Sequence, residues 1–523
     1  MKRWLIRIFL ILLVLFAVIA FWMYTHTWDR FPGYEVDVSI APRQPKTLQI
    51  GFAKRSITPE ITETWTDVNG DAVFNPDDGD TYQDVNGNGQ FDAVWMAGFH
   101  QGRAANGIHD SIWARVMVID DGQTRMAIAS IDAIGFGHDD VIRVRKKISP
   151  ASAITYATIH STHTHETPDL IGLWGKGGFA SGVNPAYKQL VIDRTAEAID
   201  AAVSQMRPAF LRIGRDLEGA IPLVNDSRKP FVLDPGIRIL QAIDTASSET
   251  LGTLFCWADH PEDLWSKNLL ISSDFPHYVR EGMEKGVAVG DSVFMEGVGG
   301  MCVYVNGAIG GLMTTDPETG ITALDQDTSY FAPSFAKAEA HGKRLAMLGL
   351  SALHEPDTMI TQASLGIRAK SLHLPLDNLL FRLAAGLGIL DRGMPEWMHL
   401  RTELSAWTLG PIGCLQVPGE IYPEIVNGGI EAPTGQDFVS APLETPPLRP
   451  QIPGRFKLVF GLANDLIGYI IPYSEWDEEA PHIYDLPDSP YGEINSLGPQ
   501  TAPIIYRESV EVLEAVTRKE GTD

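Results

Sequence analysis

Two histidines one residue apart, in Thr162-His163-Thr164-His165-Glu166, stand at the end of the apolar run 153–159. Alternate side chains of a strand point the same way, so His163 and His165 are expected to face one pocket where the strand runs out into a loop. Neutral imidazole is the commonest zinc ligand, and this pair therefore reads as part of a metal site. A second set of donors, made of oxygens, lies upstream. Asp67-Val68-Asn69-Gly70-Asp71 is echoed by Asp84-Val85-Asn86-Gly87-Asn88-Gly89. Carboxylates and amides at the first, third and fifth positions of a turn converge their oxygens on a hard cation. Asn75 and Asp78 fall at positions nine and twelve of the first loop, and Gly89 and Asp92 at six and nine of the second. Calcium is the ion this pattern predicts, stiffening a long insertion at 64–93 that would otherwise not stay ordered.

The elements that must position these groups alternate along the chain. Strand patterns cover 48–53, 111–120, 125–131, 209–213 and 251–257, and helical patterns cover 139–148 and 184–206. This is α/β organisation; together with the resemblance described below, it is expected as mixed β-sheets covered by helices, in a single large domain. The strand at 251–257 runs out at His260, another group placed where such folds collect chemistry. The proline-rich stretch 432–453 reads as a long loop.

Charge and cysteine usage narrow the classes of function. A formal net charge of −25 argues against nucleic acid as a partner, since phosphate binding needs clustered Lys and Arg. Cys256, Cys302 and Cys414 are too few and too scattered for a disulfide framework. At the N-terminus, Lys2, Arg3 and Arg7 precede the apolar run 8–24, which carries Trp22 and Tyr24 at its far end. We read 1–27 as a short cytoplasmic stub and a transmembrane anchor, with 28–48 as a linker and the domain, 49–518, on the extracytoplasmic side. A cleaved signal peptide is the competing reading, because the run is short for a span and Ala17 and Ala20 offer small residues.

Further motifs carry a family resemblance. Gly107-Ile108-His109 with Trp113-Ala114-Arg115, the Thr162–His165 stretch, and His260 with Ile271-Ser272-Ser273-Asp274 resemble the catalytic domain of the neutral ceramidases in order and spacing. The likeness continues through Val417-Pro418-Gly419-Glu420, Ala463-Asn464-Asp465-Leu466-Ile467-Gly468-Tyr469 and Ser496-Leu497-Gly498-Pro499, spanning 49–510. The resemblance implies a zinc amidase that splits the N-acyl bond of ceramide, or of a related N-acyl lipid, by metal-activated water. It places His163, His260, Glu420 and Tyr469 on the zinc ligands, with Tyr469 also among the catalytic groups. His165 falls on the second active-site histidine, stabilising charge or shuttling the proton. Arg228 falls on the active-site arginine, although Asn225-Asp226-Ser227-Arg228 aligns in more than one way. Outside the ligand set, His109 is read as packing, and Glu166 either supports the histidines from behind or is solvated.

Two departures from the family pattern bear on activity. Where the family carries a serine in Asn-x-Gly-Asp-x-Ser-Pro, this chain reads Asn306-Gly307-Ala308-Ile309-Gly310-Gly311-Leu312-Met313-Thr314. The aligned position is Gly311 or Met313, and the nearest hydroxyls are Thr314 and Thr315. The family's C-terminal β-sandwich is also expected to be absent, as the chain stops at Asp523. The alternative to an amidase is therefore an inactive or redirected protein of this fold that binds lipid or a partner.

Overall fold

The computed structural model describes residues 2–290, 292–313, 319–325 and 327–518. Its centre is two β-sheets stacked face to face, with helices on the outer faces. The larger sheet runs in the order Met301–Asn306, Thr250–Trp257, Ile237–Asp244, Arg207–Asp216, Leu48–Ser56, Trp113–Asp120, Arg125–Ile131, Tyr156–Ser161, with Thr358–Ile360 paired to Arg207–Asp216. The smaller sheet runs Asp37–Ile40, Leu365–Pro375, His399–Leu409, Ile412–Gln416, Phe456–Phe460. Period-two burial explains the stacking. One face of the large sheet presents Leu48, Ile50, Met117, Ile128 and Leu254 to Ile367, Trp407, Cys414 and Leu458 of the small one. Each such side chain contributes roughly 1.5–3 kcal/mol when fully buried, and a one-residue slip would turn the whole set outward.

Helices α1 (Lys2–Thr27), α2 (His138–Lys147), α3 (Pro185–Ser204), α4 (Phe275–Lys285), α5 (Phe335–His354) and α6 (Leu379–Gly386) precede shorter C-terminal helices and the closing helix Thr501–Ala515. The other face of the large sheet is covered by α2 and α3 over one half and by α4 and α5 over the other. The closing helix lies on the outer face of the small sheet. Mixed sheets covered by helices are thus what the alternating pattern and the resemblance together predicted. The strands come within a few residues of the sequence reading, and the two long helices start where Gly137 and Asn184 end the preceding loops. The Asn184 side chain caps α3 by accepting from Ala186 and Tyr187 N–H, and Pro185 occupies the first turn. The three cysteines are buried and free.

The N-terminal segment departs from a free linker. Asp37–Ile40 adds an antiparallel edge strand to Leu365–Pro375, with Asp37 opposite Lys370 and Ile40 opposite Ile367. The alternation Val36, Val38, Ile40 puts these side chains on the core between the sheets, which is why 28–48 docks. Asp29 pairs with Arg401 at 2.6 Å. Helix α1 is different: the segment Arg3–Thr27 is long and apolar enough to cross a membrane, and none of its most apolar stretch is covered by protein.

Candidate metal centre

The two ends of the large sheet approach one another, and the loops leaving them carry the histidines. The strand Tyr156–Ser161 is parallel to Arg125–Ile131, and Thr250–Trp257 is parallel to Met301–Asn306. His163 follows the first pair and His260 the second. Between them stands Asn306, whose Nδ2 donates to the carbonyls of Thr162 at 3.0 Å and Asp259 at 2.8 Å. One buried amide thus clamps both loops. Glu420 and Tyr469 arrive from the small sheet. Its parallel strands Ile412–Gln416 and Phe456–Phe460 lead into the short parallel pair Glu420–Ile421 and Tyr469–Ile470, which sets Glu420 directly opposite Tyr469.

These loops bring three donors together. His163 Nε2 lies 3.5 Å and His260 Nε2 3.2 Å from the same oxygen, Oε2 of Glu420. Among the described residues the three form the one group of three or more His, Cys, Asp or Glu side chains whose ligand atoms all lie within 4.8 Å of one another, and all three are buried. Each histidine is fixed from behind: His163 Nδ1 lies 2.6 Å from the carbonyl of Ile134, and His260 Nδ1 lies 2.6 Å from that of Leu312. A ring nitrogen that close to a carbonyl must carry the proton, which leaves the Nε2 lone pairs turned toward Glu420. Burial raises the Glu420 pKa, but the two imidazoles outweigh it and hold the carboxyl at about 2. Two imidazole nitrogens and one ionised carboxylate are a donor set that suits zinc. Tyr469 Oη is 3.3 Å from His260 Nε2, on the rim of this set. Burial first, and then the Glu420 charge, push its phenol well above the ordinary tyrosine range.

His165 joins the group by a different route from the one its spacing suggested. The strand ends at Ser161, and His163 adopts a left-handed conformation with φ 68°. Strand alternation therefore does not aim the two rings; the turn does, setting their centroids 5.0 Å apart at 81°. The His165 ring packs on Gly98, where a Cβ would stand 2.5 Å from its Nδ1, and edge-on to Phe99 at 4.9 Å. Glu262 Oε1 lies 3.0 Å from His165 Nδ1, outside hydrogen-bond geometry, and both ring nitrogens are buried with no hydrogen-bond partner among the described residues. Burial and the neighbouring His163, His260 and Arg103 drive its pKa well below the usual histidine value. Glu166 is buried behind the pair, 3.2 Å from Arg103 Nη1 and 2.8 Å from Asn268 Nδ2. Arg103 also holds the carbonyls of Ala97 and His165. His109 stacks on Phe335 at 3.7 Å.

Arg228 does not touch the cluster. Its guanidinium makes two 2.8 Å bonds to Glu493 and one of 2.6 Å to the Glu475 carbonyl. It borders a second cavity with Met313, Tyr422 and Tyr491, and Tyr469 and Tyr491 line both that cavity and the one lined by His163, His165 and Glu420. The first cavity is walled by Phe99, Ile134, Leu173, Trp174, Phe381 and Leu466 among others. The segment that the resemblance sets at the family's serine position lies beside His260: the Leu312 carbonyl binds its ring, and Met313 bridges to it. Thr314 and Thr315 lie outside the described residues.

In the insertion, the two repeats fold alike. Asp67 accepts from Gly70 and Ala72 N–H, and Asp84 accepts from Gly87, Asn88 and Gly89 N–H. Asn69 bonds to Asp71, and both Asn86 and Asn88 bond to Asp92. Asn75 and Asp78 instead pair with each other at a short 3-10 turn. The carboxylate that closes the first loop is Asp80, which accepts from Val68 and Asn75; Glu63 does the same for Val85 and Asp92 in the second. Residues that sequence reasoning missed are thus Asp80, Glu63, Asn306, Glu262 and Arg103. Of these, Glu262 had a signal, two positions after His260.

No protein-family model and no curated protein matches this sequence. Solved structures do. A neutral ceramidase from Pseudomonas aeruginosa superposes with a TM-score of 0.61 at 16% identity, covering 91% of this chain and 76% of that one. A ceramidase complexed with C2 superposes with a TM-score of 0.60 at 14% identity, covering 90% and 75%. This chain has the fold of the neutral ceramidases.

Proposed function

We propose that this protein is a zinc-dependent amidase that hydrolyses the N-acyl bond of ceramide or a related N-acyl lipid. The observation that carries the reading is the convergence of His163 and His260 Nε2 on one oxygen of Glu420, at the wall of an apolar cavity. His163, His260 and Glu420, with Tyr469 at the rim, would hold the ion. Bound zinc supplies a Lewis acid and brings the pKa of its water down to about 7.

The chain's own residues supply the rest. Nε2 of His165, without a hydrogen-bond partner among the described residues, would take a proton and return it to the leaving amine. Glu262, 3.0 Å from the other ring nitrogen, would steady the imidazolium that forms. Tyr469, kept protonated by burial, offers a hydrogen bond where the amide oxygen gains charge. The apolar walls on either side of Tyr469 suit hydrocarbon chains and exclude water. Arg228 belongs to the second cavity, and committed as it is to Glu493, it would shape that wall. Helix α1 would anchor the domain to a membrane with the catalytic part on the extracytoplasmic side, and the two loops beginning at Asp67 and Asp84 would each take a calcium ion.

One observation favours a second reading, a lipid-binding protein without turnover: Gly311-Leu312-Met313 stands beside His260 where the family carries its serine. Elemental analysis and release of fatty acid from a short-chain ceramide separate the two. About one zinc per chain with hydrolysis, both lost in His163→Ala, supports the amidase. Zinc without hydrolysis supports the binding role, and absence of zinc removes the site assignment.

A further inference from the structure

Helix α6 is apolar on the side turned away from the protein. Leu379 is 66% exposed, Leu380 63% and Leu383 47%, with Leu387 just beyond the C-terminal end at 38%. A single exposed leucine needs no explanation, but four within nine residues form an uncovered patch. Its polar residue does not interrupt it, because Arg382 turns back to the Leu376 carbonyl and to Asp377. Neighbours extend it: Asn378, which caps α6, donates to the carbonyl of Ile494, itself 49% exposed, and Tyr491 is 61% exposed.

The patch is tied to two other features. Phe381 of α6 and Tyr491 line the apolar cavity that contains His163, His165 and Glu420. The far end of α1 packs on α6 so closely that a Cβ on Gly386 would collide with Met23 and one on Gly388 with His26. This joint is braced by Met394 N–H to the Thr27 carbonyl and by Arg30 to Asp391 at 2.7 Å. The helix apolar enough to span a bilayer therefore delivers its end against the leucine patch, and the patch adjoins the cavity wall.

We propose that α6, with Ile494 and Tyr491, is a membrane-docking surface that sits in the outer part of the bilayer carrying α1 and lets a lipid pass from that bilayer into the apolar cavity. The occupant is a lipid bilayer because the surface is continuous with a helix whose uncovered side chains need the same apolar medium. The inference rests on the anchor and lipid-amidase reading above, and it adds to that reading the face by which the domain meets the membrane. Transfer along such a surface spares a long-chain lipid from crossing water.

The test uses the full chain in phosphatidylcholine vesicles with nitroxide-labelled acyl chains. An environment-sensitive fluorophore is placed, in separate proteins, at Leu383→Cys, Ile494→Cys, Phe16→Cys and, as a reference on an edge strand, Met359→Cys; the native cysteines are buried. We expect the probes at 383 and 494 to be quenched severalfold more than the probe at 359. Equal quenching at 383, 494 and 359 overturns the proposal. The probe at 16 reports the anchor separately: its quenching with no quenching at 383 sinks the docking surface and leaves the anchor standing. Quenching at 383 without quenching at 16 sinks the anchor and retains the docking. A second measurement uses Leu380→Glu/Leu383→Glu, which should lower turnover of long-chain ceramide in vesicles at least tenfold while turnover of a soluble short-chain ceramide stays within twofold. Equal losses on both substrates overturn the proposal, and absence of turnover in the parent protein as well sinks the amidase reading, leaving the quenching to decide the docking.

Discussion

The side-chain amide of Asn306 donates to the carbonyl of Thr162, 144 residues away, at 3.0 Å. The same nitrogen reaches Asp259, so the loops carrying His163 and His260 have one common support at opposite ends of a sheet. Removing a group that orients metal ligands typically costs 10–100-fold in affinity. Asn306→Ala should therefore weaken zinc binding by about that factor, and leave two buried carbonyls short of a donor at roughly 1–3 kcal/mol. Competition against a chromophoric chelator checks the first effect and urea denaturation the second; unchanged zinc affinity would show that the loops hold themselves.

His165 stands next to the ligands without sharing their contact with Glu420. Its replacement by Gln should keep zinc at wild-type stoichiometry and lower kcat by about 10²–10⁴-fold, the usual worth of a placed acid-base group. Loss of zinc in this variant would move His165 into the ligand set.

The Arg228–Glu493 pair is buried, with side chains 7% and 0% exposed. Breaking such a pair from one side leaves an unpaired buried charge, at about 3–5 kcal/mol. Arg228→Met should accordingly destabilise strongly, and Arg228→Met/Glu493→Leu should recover most of the loss. A double-mutant cycle from denaturant midpoints decides the matter, since additive losses would mean that the two charges are not coupled.

Glu166 gives a dependence on pH with a definite sign. Burial outweighs the attraction of Arg103 and raises its pKa from 4.5 to about 7. Between those two values the folded protein holds a proton that the unfolded chain has lost, so stability falls as pH rises from 4.5 to 7. The amount is about 3 kcal/mol. Glu166→Gln should flatten that part of the stability curve when unfolding is followed against pH, and an unaltered slope would assign it to other carboxyls.

Calcium added to zinc-loaded, calcium-free protein should raise its thermal midpoint. An ion bound only by the folded state stabilises by about 3 kcal/mol at a hundredfold excess over Kd. Asp67→Ala and Asp84→Ala should each remove part of the gain. A midpoint indifferent to calcium would leave the two loops as hydrogen-bonded turns.

Much of this molecule was legible from local pattern alone. Apolar patterning announced the strands, helical spacing announced α3, and apolar length announced α1, because each depends on neighbours in sequence. His163 and His260 stood out by type and by their place at strand ends, and Glu420 by the family resemblance alone. Their meeting, 3.5 Å and 3.2 Å from one oxygen, depends on which strands neighbour which. That follows from packing two sheets, a long-range outcome that no local spacing encodes. The tertiary structure also hydrogen-bonded the first loop through Asp80, folded 37–40 onto a sheet edge, and turned Arg228 to Glu493. In each case a buried charge or apolar face took the partner that desolvation required, and such partners become known only when the chain has brought distant segments together.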